Sequence, residues 1–303
     1  MPAEQRFLEV VDPGALATVQ DLGRAGLAHL GVPRSGALDE PAHRLANRLV
    51  GNPEGAATVE VTLTGARFRV SRACTVAVTG AWCEVRSGTR PLAWGTPVTL
   101  SAGSALALGP ARDGLRCHLA VAGGVAVEPV LGSRSTDLLS GLGPAPLRGG
   151  DRLPLGPPHG VPRPVDAAEP SRSARELRVR PGPRDDWFDP AALAALDGSS
   201  YSVTSDSNRV GLRLRGPSVR RRDDRELPSE GLVLGAVQVP ADGQPVVFLA
   251  DHPTTGGYPV VGVVAAADLP GCAQLRPGDT VTLRLVSPGR AGRDAAPGRQ
   301  PRG

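Results

Sequence analysis

Short segments rich in valine and threonine recur along almost the whole chain, separated by glycine and proline turns. The clearest are ARFRVSRACTVAVTG, TPVTLSAGSALALG, LRCHLAVAGGVAV, PVVFLAD, YPVVGVVAA and DTVTLRLV. Valine and threonine favour strands because their branched side chains pack well on a pleated surface, while 39 glycines and 31 prolines supply turns. The pattern predicts a mainly β protein with barrels or sandwiches rather than alternating β/α units.

Two short helices are also predicted. The first follows Asp39, a favourable N-cap residue, has a proline in its first turn and leucines on one face, and stops at Gly51. The second opens at Asp189 and is closed by Gly198. These helices are few and short beside the predicted strands.

A proline-rich stretch at residues 154–176 predicts a linker or a long surface loop that divides the chain. We expect one β domain over residues 1–165, a second over 166–287, and a disordered basic tail over 288–303. The pattern R-x-G-L-x-x-x-G occurs once in each half. Duplication and chance both explain so short a repeat.

The chain contains no lysine, which excludes a P-loop lysine, a Schiff base and an attached biotin. An anionic ligand must therefore be held by arginine, backbone N–H groups or hydroxyls. The formal charge is +4, but the tail from residue 287 contributes +3 of it, with four arginines against one aspartate. The rest of the chain is close to neutral and has few aromatic side chains, so no nucleic-acid partner is expected.

Other signals point to an ordinary cytoplasmic protein. No apolar run approaches the roughly 20 residues of a membrane span, and the first residues lack the layout of a signal peptide. The four cysteines show no C-x-x-C spacing and are expected to be buried thiols. No histidine pair has helical ligand spacing, so no metal site is predicted.

Two polar, glycine-containing stretches are candidate anion sites. In residues 18–52, glycines and the following helix N-terminus favour a bound anion, although a hairpin and a capped helix explain the pattern as well. Its polar members are Gln20, Asp21, Arg24, Arg34, Ser35 and Asp39. In residues 205–222, Arg209 is placed to orient a carboxylate, whereas Arg213 and Arg215 alternate with leucines as on a half-exposed strand.

The third stretch, residues 229–259, contains more polar residues than a hairpin turn requires. Gln238 interrupts an apolar run, so it is either an edge residue or faces a ligand. Gly256 and Gly257 are predicted to allow positive φ and form a concave nest of N–H groups. Nearby hydroxyls and proton-transfer groups are Asp251, His252, Thr254, Thr255 and Tyr258. An elaborate hairpin is the structural alternative, and we favour a functional loop.

Six motifs occur in a set order: QDLGR-x-G, GVPRSGALD, NRLVGN, R-x-G-L-R-L-x-G, SEG…GAVQVPADGQPV and D-x-x-TTGGYP. Together they resemble the biotin-dependent carboxyltransferase family, which includes the allophanate-hydrolase subunit 2 or KipA-like proteins and the C subunit of bacterial 5-oxoprolinase. The resemblance covers roughly residues 7–286. It implies two cyclophilin-like β-barrel domains with a few short helices.

The resemblance also implies a complex. A KipI-like protein, the B subunit, would be one partner, and a LamB/YcsF-like protein, the A subunit, would be the other. The complex would use ATP to convert 5-oxoproline, a small anion, to glutamate, and the isolated chain would be inactive. Two other functions stay open: a carboxyltransferase for a urea-like acceptor, with biotin on another protein, and a KipA-type regulator that relieves a KipI-like kinase inhibitor.

The resemblance assigns residues to the pocket. Expected to bind substrate are Arg24, Asp39, Arg209, Gln238, Thr254, Thr255, Gly256 and Gly257, and expected to act in catalysis are Asp251, His252 and Tyr258. As a hypothesis, the arginines bind carboxylate or phosphate, the glycines bind an oxyanion, and Asp251 or His252 transfers a proton. Pro253 stands where many relatives have glutamine, so a different substrate is one consequence to test.

Overall fold

Strands dominate both halves of the chain in the computed structural model, which describes residues 6–165, 168–222 and 225–286. The strands of the first half are β1 (Phe7–Asp12), β2 (Leu16–Gln20), β3 (Thr58–Thr62), β4 (Ala66–Val70), β5 (Cys74–Trp82), β6 (Val85–Ser87), β7 (Arg90–Leu92), β8 (Val98–Leu100), β9 (Ala105–Leu108), β10 (Asp113–Val121) and β11 (Arg152–Pro154). Those of the second half are β12 (Glu176–Pro181), β13 (Ser200–Val203), β14 (Gly211–Arg215), β15 (Glu230–Gly231), β16 (Ala236–Gln238), β17 (Val246–Phe248), β18 (Thr255–Gly256), β19 (Val260–Val264) and β20 (Thr280–Leu285). The prediction of a mainly β fold is confirmed.

The strands of the first half form two sheets. One has the order β11-β1-β4-β9-β6-β7, and the other has the order β2-β3-β10-β5-β8. Along β4, Arg67 and Arg69 point to solvent while Phe68 is fully buried, which is the alternation that the pleat imposes. Inward side chains of both sheets share one core, with Leu8 and Leu119 among its buried members. This half is therefore a β-sandwich, in which packed side chains hold the two sheets together.

The second half contains a closed barrel with the order β12-β19-β16-β17-β14-β13-β20. Closure depends on β12 and β20, which pair in parallel while the other strand pairs of the barrel are antiparallel. A second core fills the barrel, and Leu177, Leu212, Val237 and Leu283 are buried within it. The expected barrel architecture is thus complete here.

The helices are short. They are α1 (Glu40–Leu49), α2 (Pro190–Leu196) and α3 (Leu269–Cys272). As predicted, Asp39 caps α1 by accepting a hydrogen bond from the Ala42 N–H at 3.1 Å, whereas Asp189 makes no such side-chain bond to α2. Gly51 and Gly198 follow the helices with φ of 78° and 80°. Among the described residues, no helix has the length and apolar character needed to cross a membrane.

The stretch between β11 and β12 runs along both halves. Arg163 N–H donates to Leu49 O, and Ser171 N–H donates to Gly80 O, both in the first half. Further along, Ala174 N–H donates to Gly271 O in the second half. The domain limits stay a prediction, and the predicted basic tail lies outside the described residues.

All four cysteines are buried free thiols, as the sequence indicates. Two of them, Cys83 and Cys117, lie with their sulfur atoms 3.7 Å apart in the core of the first half. Burial raises the pKa of the Cys74 thiol to about 11 and that of Cys272 to about 12. These two thiols are therefore protonated and unreactive at neutral pH.

Candidate functional site

A network of buried charges joins the two halves of the chain, and two predicted site residues lie at its centre. Arg209 donates from Nε to Asp251 Oδ2 at 2.9 Å and from Nη1 to Glu60 Oε1 at 2.6 Å. Its Nη2 makes a second bond to Asp251, so that pair is bidentate. All three side chains are at most 1% exposed. Because Glu60 belongs to β3 and Asp251 follows β17, the arginine holds the two halves together.

Asp251 is surrounded by donors. Besides Arg209, the Leu138 N–H donates to it at 3.1 Å, and Ser35 Oγ lies 2.7 Å from its Oδ1. Ser35 Oγ also lies 2.9 Å from Thr136 O, so one hydroxyl proton serves two acceptors. The Ser35 backbone is left-handed, with φ of 53°, which is uncommon for a residue other than glycine. Proton transfer by Asp251 would require one of these bonds to open.

Arg24 is buried nearby, against the loop that precedes Leu138. Its Nε donates to Val130 O at 3.0 Å and its Nη2 donates to Ser135 O at 2.6 Å. Its Nη1 is buried without a hydrogen-bond partner in the described part of the chain. An unpaired buried donor is costly unless it meets an acceptor, so this N–H group suits a bound carboxylate or water.

Glu60 is buried among basic side chains. Arg116 Nε lies 3.6 Å from its carboxylate and His118 Nε2 lies 3.7 Å away. Burial alone would raise the pKa of Glu60, but the charges around it, Arg209 first, lower that pKa to about 2. Burial lowers the pKa of His118 to about 3, so this imidazole is neutral at pH 7. The carboxylate therefore stays ionised between two guanidinium groups.

Asp39, a predicted substrate-binding residue, has structural partners. One carboxylate oxygen caps α1, and the other accepts a hydrogen bond from Gln274 Nε2 at 2.6 Å. Gln274 in turn accepts from the Leu115 and Arg116 N–H groups through its Oε1. Burial raises the pKa of Asp39, against the hydrogen bonds that lower it. The aspartate thus connects α1, β10 and the second half.

The predicted loop residues lie elsewhere, at the surface. Thr255 belongs to β18, which pairs with β15 in a small two-stranded sheet. Thr255 and Gly257 are exposed, and Tyr258 is 46% exposed. Gln238 is neither on an edge strand nor facing solvent: it is 5% exposed, and its Nε2 donates to Tyr258 O at 2.8 Å. This bond anchors the loop while the tyrosine side chain points outward.

The predicted nest of N–H groups at Gly256 and Gly257 is wrong as geometry, since neither glycine adopts a left-handed backbone. Close packing explains the first glycine instead. A Cβ atom at Gly256 would lie 2.8 Å from Gln238 Nε2 and 2.8 Å from Leu232 Cδ1. At Gly257 the nearest atom would be Leu227 O at 3.3 Å. A side chain at Gly256 would therefore displace the ends of the Gln238 and Leu232 side chains, and with them the hydrogen bond from Gln238 to Tyr258 O.

His252 and Thr254 connect the buried network to this loop. The His252 ring is 7% exposed, its Nδ1 lies 2.7 Å from Pro253 O, and it is tilted against the Phe248 ring at 6.4 Å. Thr254 is half-buried, and its backbone carbonyl accepts a hydrogen bond from the Leu232 N–H. The catalytic and binding roles of these residues stay predictions.

A cavity of about 390 Å³ lies between the halves beside Ser35. Its walls are mostly apolar, with Leu22 and Leu38 from the first half and Leu249 and Leu269 from the second. This volume is in the range of small-molecule sites, and polar groups at its edge would set the orientation of a ligand. Residues of the GVPRSGALD motif and residues that directly precede Asp251 therefore line the same cavity.

Sequence reasoning missed Glu60 and Gln274. The available signal for Glu60 was a single carboxylate within the apolar strand TVEVT, where a charge needs a buried partner. Within residues 6–165, 168–222 and 225–286, no three His, Cys, Asp or Glu side chains gather in a geometry for a metal ion.

Known proteins resemble the chain over most of its length. The profile of the carboxyltransferase domain, subdomain A and B, matches residues 30–285. The C subunit of the 5-oxoprolinase of Escherichia coli (strain K12) is 40% identical over 278 residues, which cover 91% of this chain and 90% of that protein. The urea amidolyase of Lachancea kluyveri is 34% identical, across 92% of this chain but only 17% of that protein.

Solved structures agree with these relatives. The crystal structure of TTHA0988 superposes with a TM-score of 0.84 at 38% identity, covering 94% of this chain and 56% of that chain. The Kluyveromyces lactis urea amidolyase superposes with a TM-score of 0.84 at 29% identity, covering 93% of this chain and 19% of that one. This chain thus spans only part of both solved proteins. It belongs to the carboxyltransferase family and corresponds to subdomains A and B.

Proposed function

We propose that this chain is the C subunit of an ATP-dependent 5-oxoprolinase. One observation carries the proposal: the 40% identity to the corresponding 5-oxoprolinase protein of Escherichia coli extends over nine-tenths of both chains. The proposed partners are a KipI-like protein as the B subunit, with a LamB/YcsF-like protein as the A subunit, in the cytoplasm. The proposed complex phosphorylates 5-oxoproline with ATP and hydrolyses the activated ring to glutamate.

The geometry supports a small anionic substrate. The cavity beside Ser35 has the volume for a small ring, and Arg34 and Arg44 in its lining are donors for a carboxylate; Arg24, with its unpaired N–H group, lies outside this lining. Thr255 and Tyr258 offer hydroxyls on an exposed loop, where a partner protein can complete the site. In this proposal no reacting group is attached to the chain, since it has no lysine to carry biotin.

Reconstitution tests the proposal. This chain is mixed with the KipI-like and LamB/YcsF-like proteins of the same organism, ATP and 5-oxoproline, and glutamate and ADP are measured. We expect glutamate only when all three proteins are present, and none from any mixture that lacks one of them. A complex that assembles but yields no glutamate would refute the proposal.

Carboxyl transfer is the second candidate, supported by the family profile and by the urea amidolyase relatives. In that case the acceptor is urea-like, and a separate biotin-carrying protein supplies the carboxyl group. The discriminating assay offers carboxybiotin and urea in place of ATP and 5-oxoproline. Loss of carboxybiotin that depends on urea and on this chain would favour transfer.

A further inference from the structure

A larger cavity of about 890 Å³ lies between the halves and shares no residue with the predicted site. Its walls come from β5 and β10 of the first half, from residues 170–175, and from residues 275–280 of the second half. Four arginines line it, against two aspartates: Arg112, Arg172, Arg175 and Arg276 against Asp113 and Asp279. The lining therefore has a net formal charge of +2, from four positive and two negative groups.

Two of the guanidinium groups are held in place. Arg112 lies over the Trp82 ring, 5.0 Å from its centroid. Arg276 donates from Nη2 to Ala111 O at 2.6 Å and from Nε to Gly114 O. Both arginines are thus oriented by uncharged partners, and neither has an ion pair among the residues that the structure describes.

The other two belong to the connecting segment. Arg172 and Arg175 are exposed, and neither side chain has an ion pair or a hydrogen bond with the residues that the structure describes. Between them, Ser173 Oγ donates to Gln274 O at 2.7 Å, which fixes the segment against the second half. The backbone between the two arginines is therefore positioned while their guanidinium groups are available.

Surface arginines elsewhere commonly face an acid. Arg67 pairs with Asp12 at 3.2 Å and Arg178 pairs with Asp268 at 2.6 Å, for example. At the cavity, Asp279 already accepts the Arg276 backbone N–H. Several guanidinium groups without matching acids repel one another unless an anion lies between them, and guanidinium geometry suits phosphate oxygens.

We propose that this cavity binds a polyphosphate group, either free or carried by a nucleoside. The site is separate from the proposed 5-oxoprolinase chemistry and does not depend on it. A bound polyphosphate would contact the first half, the connecting segment and the second half at once. It would therefore add to the contacts that Gln274 already makes with Asp39 and Ser173, which hold the same parts of the chain together.

Calorimetric titration of the full chain with tripolyphosphate and with ATP, at about 0.15 M salt, tests the site. The test variant is Arg172→Ala/Arg175→Ala. Its matched control is Arg213→Ala/Arg215→Ala, which removes the same charge from exposed positions on β14. We expect the test variant to bind tripolyphosphate at least about tenfold more weakly. The loss of a single charge-assisted hydrogen bond already weakens binding by about tenfold or more. The control should bind within about twofold of wild type.

The ATP arm identifies the source of the phosphates. Equal affinity for ATP and tripolyphosphate supports a site that recognises only the phosphate groups. Tighter ATP binding that Trp82→Phe abolishes supports a nucleoside-borne polyphosphate. The melting temperatures of both double variants without ligand should match wild type, because these four exposed side chains have no ion pair or hydrogen bond within residues 6–165, 168–222 and 225–286. Absence of binding by wild type, or equal loss in both double variants, would overturn the proposal.

Discussion

Arg209 and Asp251 are completely buried between the halves of the chain, whereas Thr255 and Tyr258 lie on an exposed loop only a few residues further along. The first pair has its hydrogen bonds satisfied within the protein, while the second presents hydroxyls to solvent. The two ends of the motif D-x-x-TTGGYP, residues 251–259, therefore have different roles. Its first residue, Asp251, helps to hold the two halves of the chain together, and its end is exposed to a substrate or a partner.

Removing the buried cation is expected to have the largest effect. Arg209→Ala leaves Glu60 and Asp251 buried without their counter-charge, which should lower the free energy of unfolding by about 3–5 kcal/mol. Urea unfolding followed by circular dichroism measures this. The control is Arg213→Ala on the adjoining strand, where an exposed arginine should change stability by less than about 0.5 kcal/mol. If the two substitutions lowered the free energy of unfolding equally, the buried network would not hold the two halves together.

Two buried histidines beside the same network should make stability depend on pH: His118, and His43 of α1, whose ring lies 5.6 Å from that of His118. Burial lowers the pKa of His43 to about 4 and that of His118 to about 3, from an ordinary value of 6.5. Below pH 6.5 the unfolded chain therefore binds protons that the folded chain does not, and the free energy of unfolding falls. Glu60 adds to the fall between pH 4.5 and about 2, since its pKa is lowered in the folded chain. Asp39 opposes it, because burial raises its pKa.

Urea unfolding at about pH 7, 5.5 and 4.5 measures this dependence. His43→Gln should reduce the slope between pH 6.5 and about 4.5, because it removes one of the groups that resist protonation. His29→Gln, at an exposed position, is the control and should leave the slope unchanged. A slope that neither substitution alters would show that His43 does not contribute.

Phenylalanine substitutions at the two tyrosines should have opposite effects, one on activity and the other on stability. Tyr258→Phe should reduce glutamate formation by the reconstituted complex about 100-fold if its hydroxyl takes part in proton transfer, without changing stability. Tyr201→Phe should do the reverse. It loses the hydrogen bond from its buried hydroxyl to Pro217 O at 3.0 Å, which lowers stability by about 1 kcal/mol, and it retains activity. Full activity of the Tyr258 variant would remove that residue from the catalytic set.

The smallest expected effects are those of alanine substitutions at the two neighbouring glycines, Gly256 and Gly257. Gly256→Ala places a Cβ 2.8 Å from Gln238 Nε2, so this amide must move from the Tyr258 carbonyl that it anchors, and activity should fall about tenfold. Gly257→Ala has more room and should retain most of its activity. Steady-state assays of both variants in the reconstituted complex measure the difference. If both lose activity equally, close packing is not the reason for the first glycine.

Local signals in the sequence predicted the elements of the fold well. Asp39 and Gly51 mark the two ends of α1 because capping depends on neighbouring residues only. The alternation in β4 likewise predicts which side chains face the core. The first half forms two sheets rather than one hydrogen-bonded barrel, and this was beyond prediction because strand order depends on contacts distant in sequence.

The site was harder to predict for the same reason. Arg209 was identified, but its partner Glu60 is 149 residues away, and no local pattern joins them. The glycine pair was identified as well, yet the nest was wrong because neither glycine adopts a left-handed backbone, and Gly256 packs instead against the distant side chain of Gln238. Residue types thus indicated where polar chemistry is concentrated, and tertiary contacts decided which of those groups are buried.

The central claim is that the buried network holds the halves together while the exposed loop is open to a partner. Hydrogen exchange of the chain, alone and in the three-protein mixture with ATP and 5-oxoproline, tests this claim most directly. The amides of residues 254–258 should exchange quickly in the isolated chain and become protected in the complex. Those around Arg209 and Asp251 should be protected in both states, since their contacts are already made within the chain. A loop that stays unprotected in an active complex, or a buried network that exchanges quickly in the isolated chain, would contradict this account.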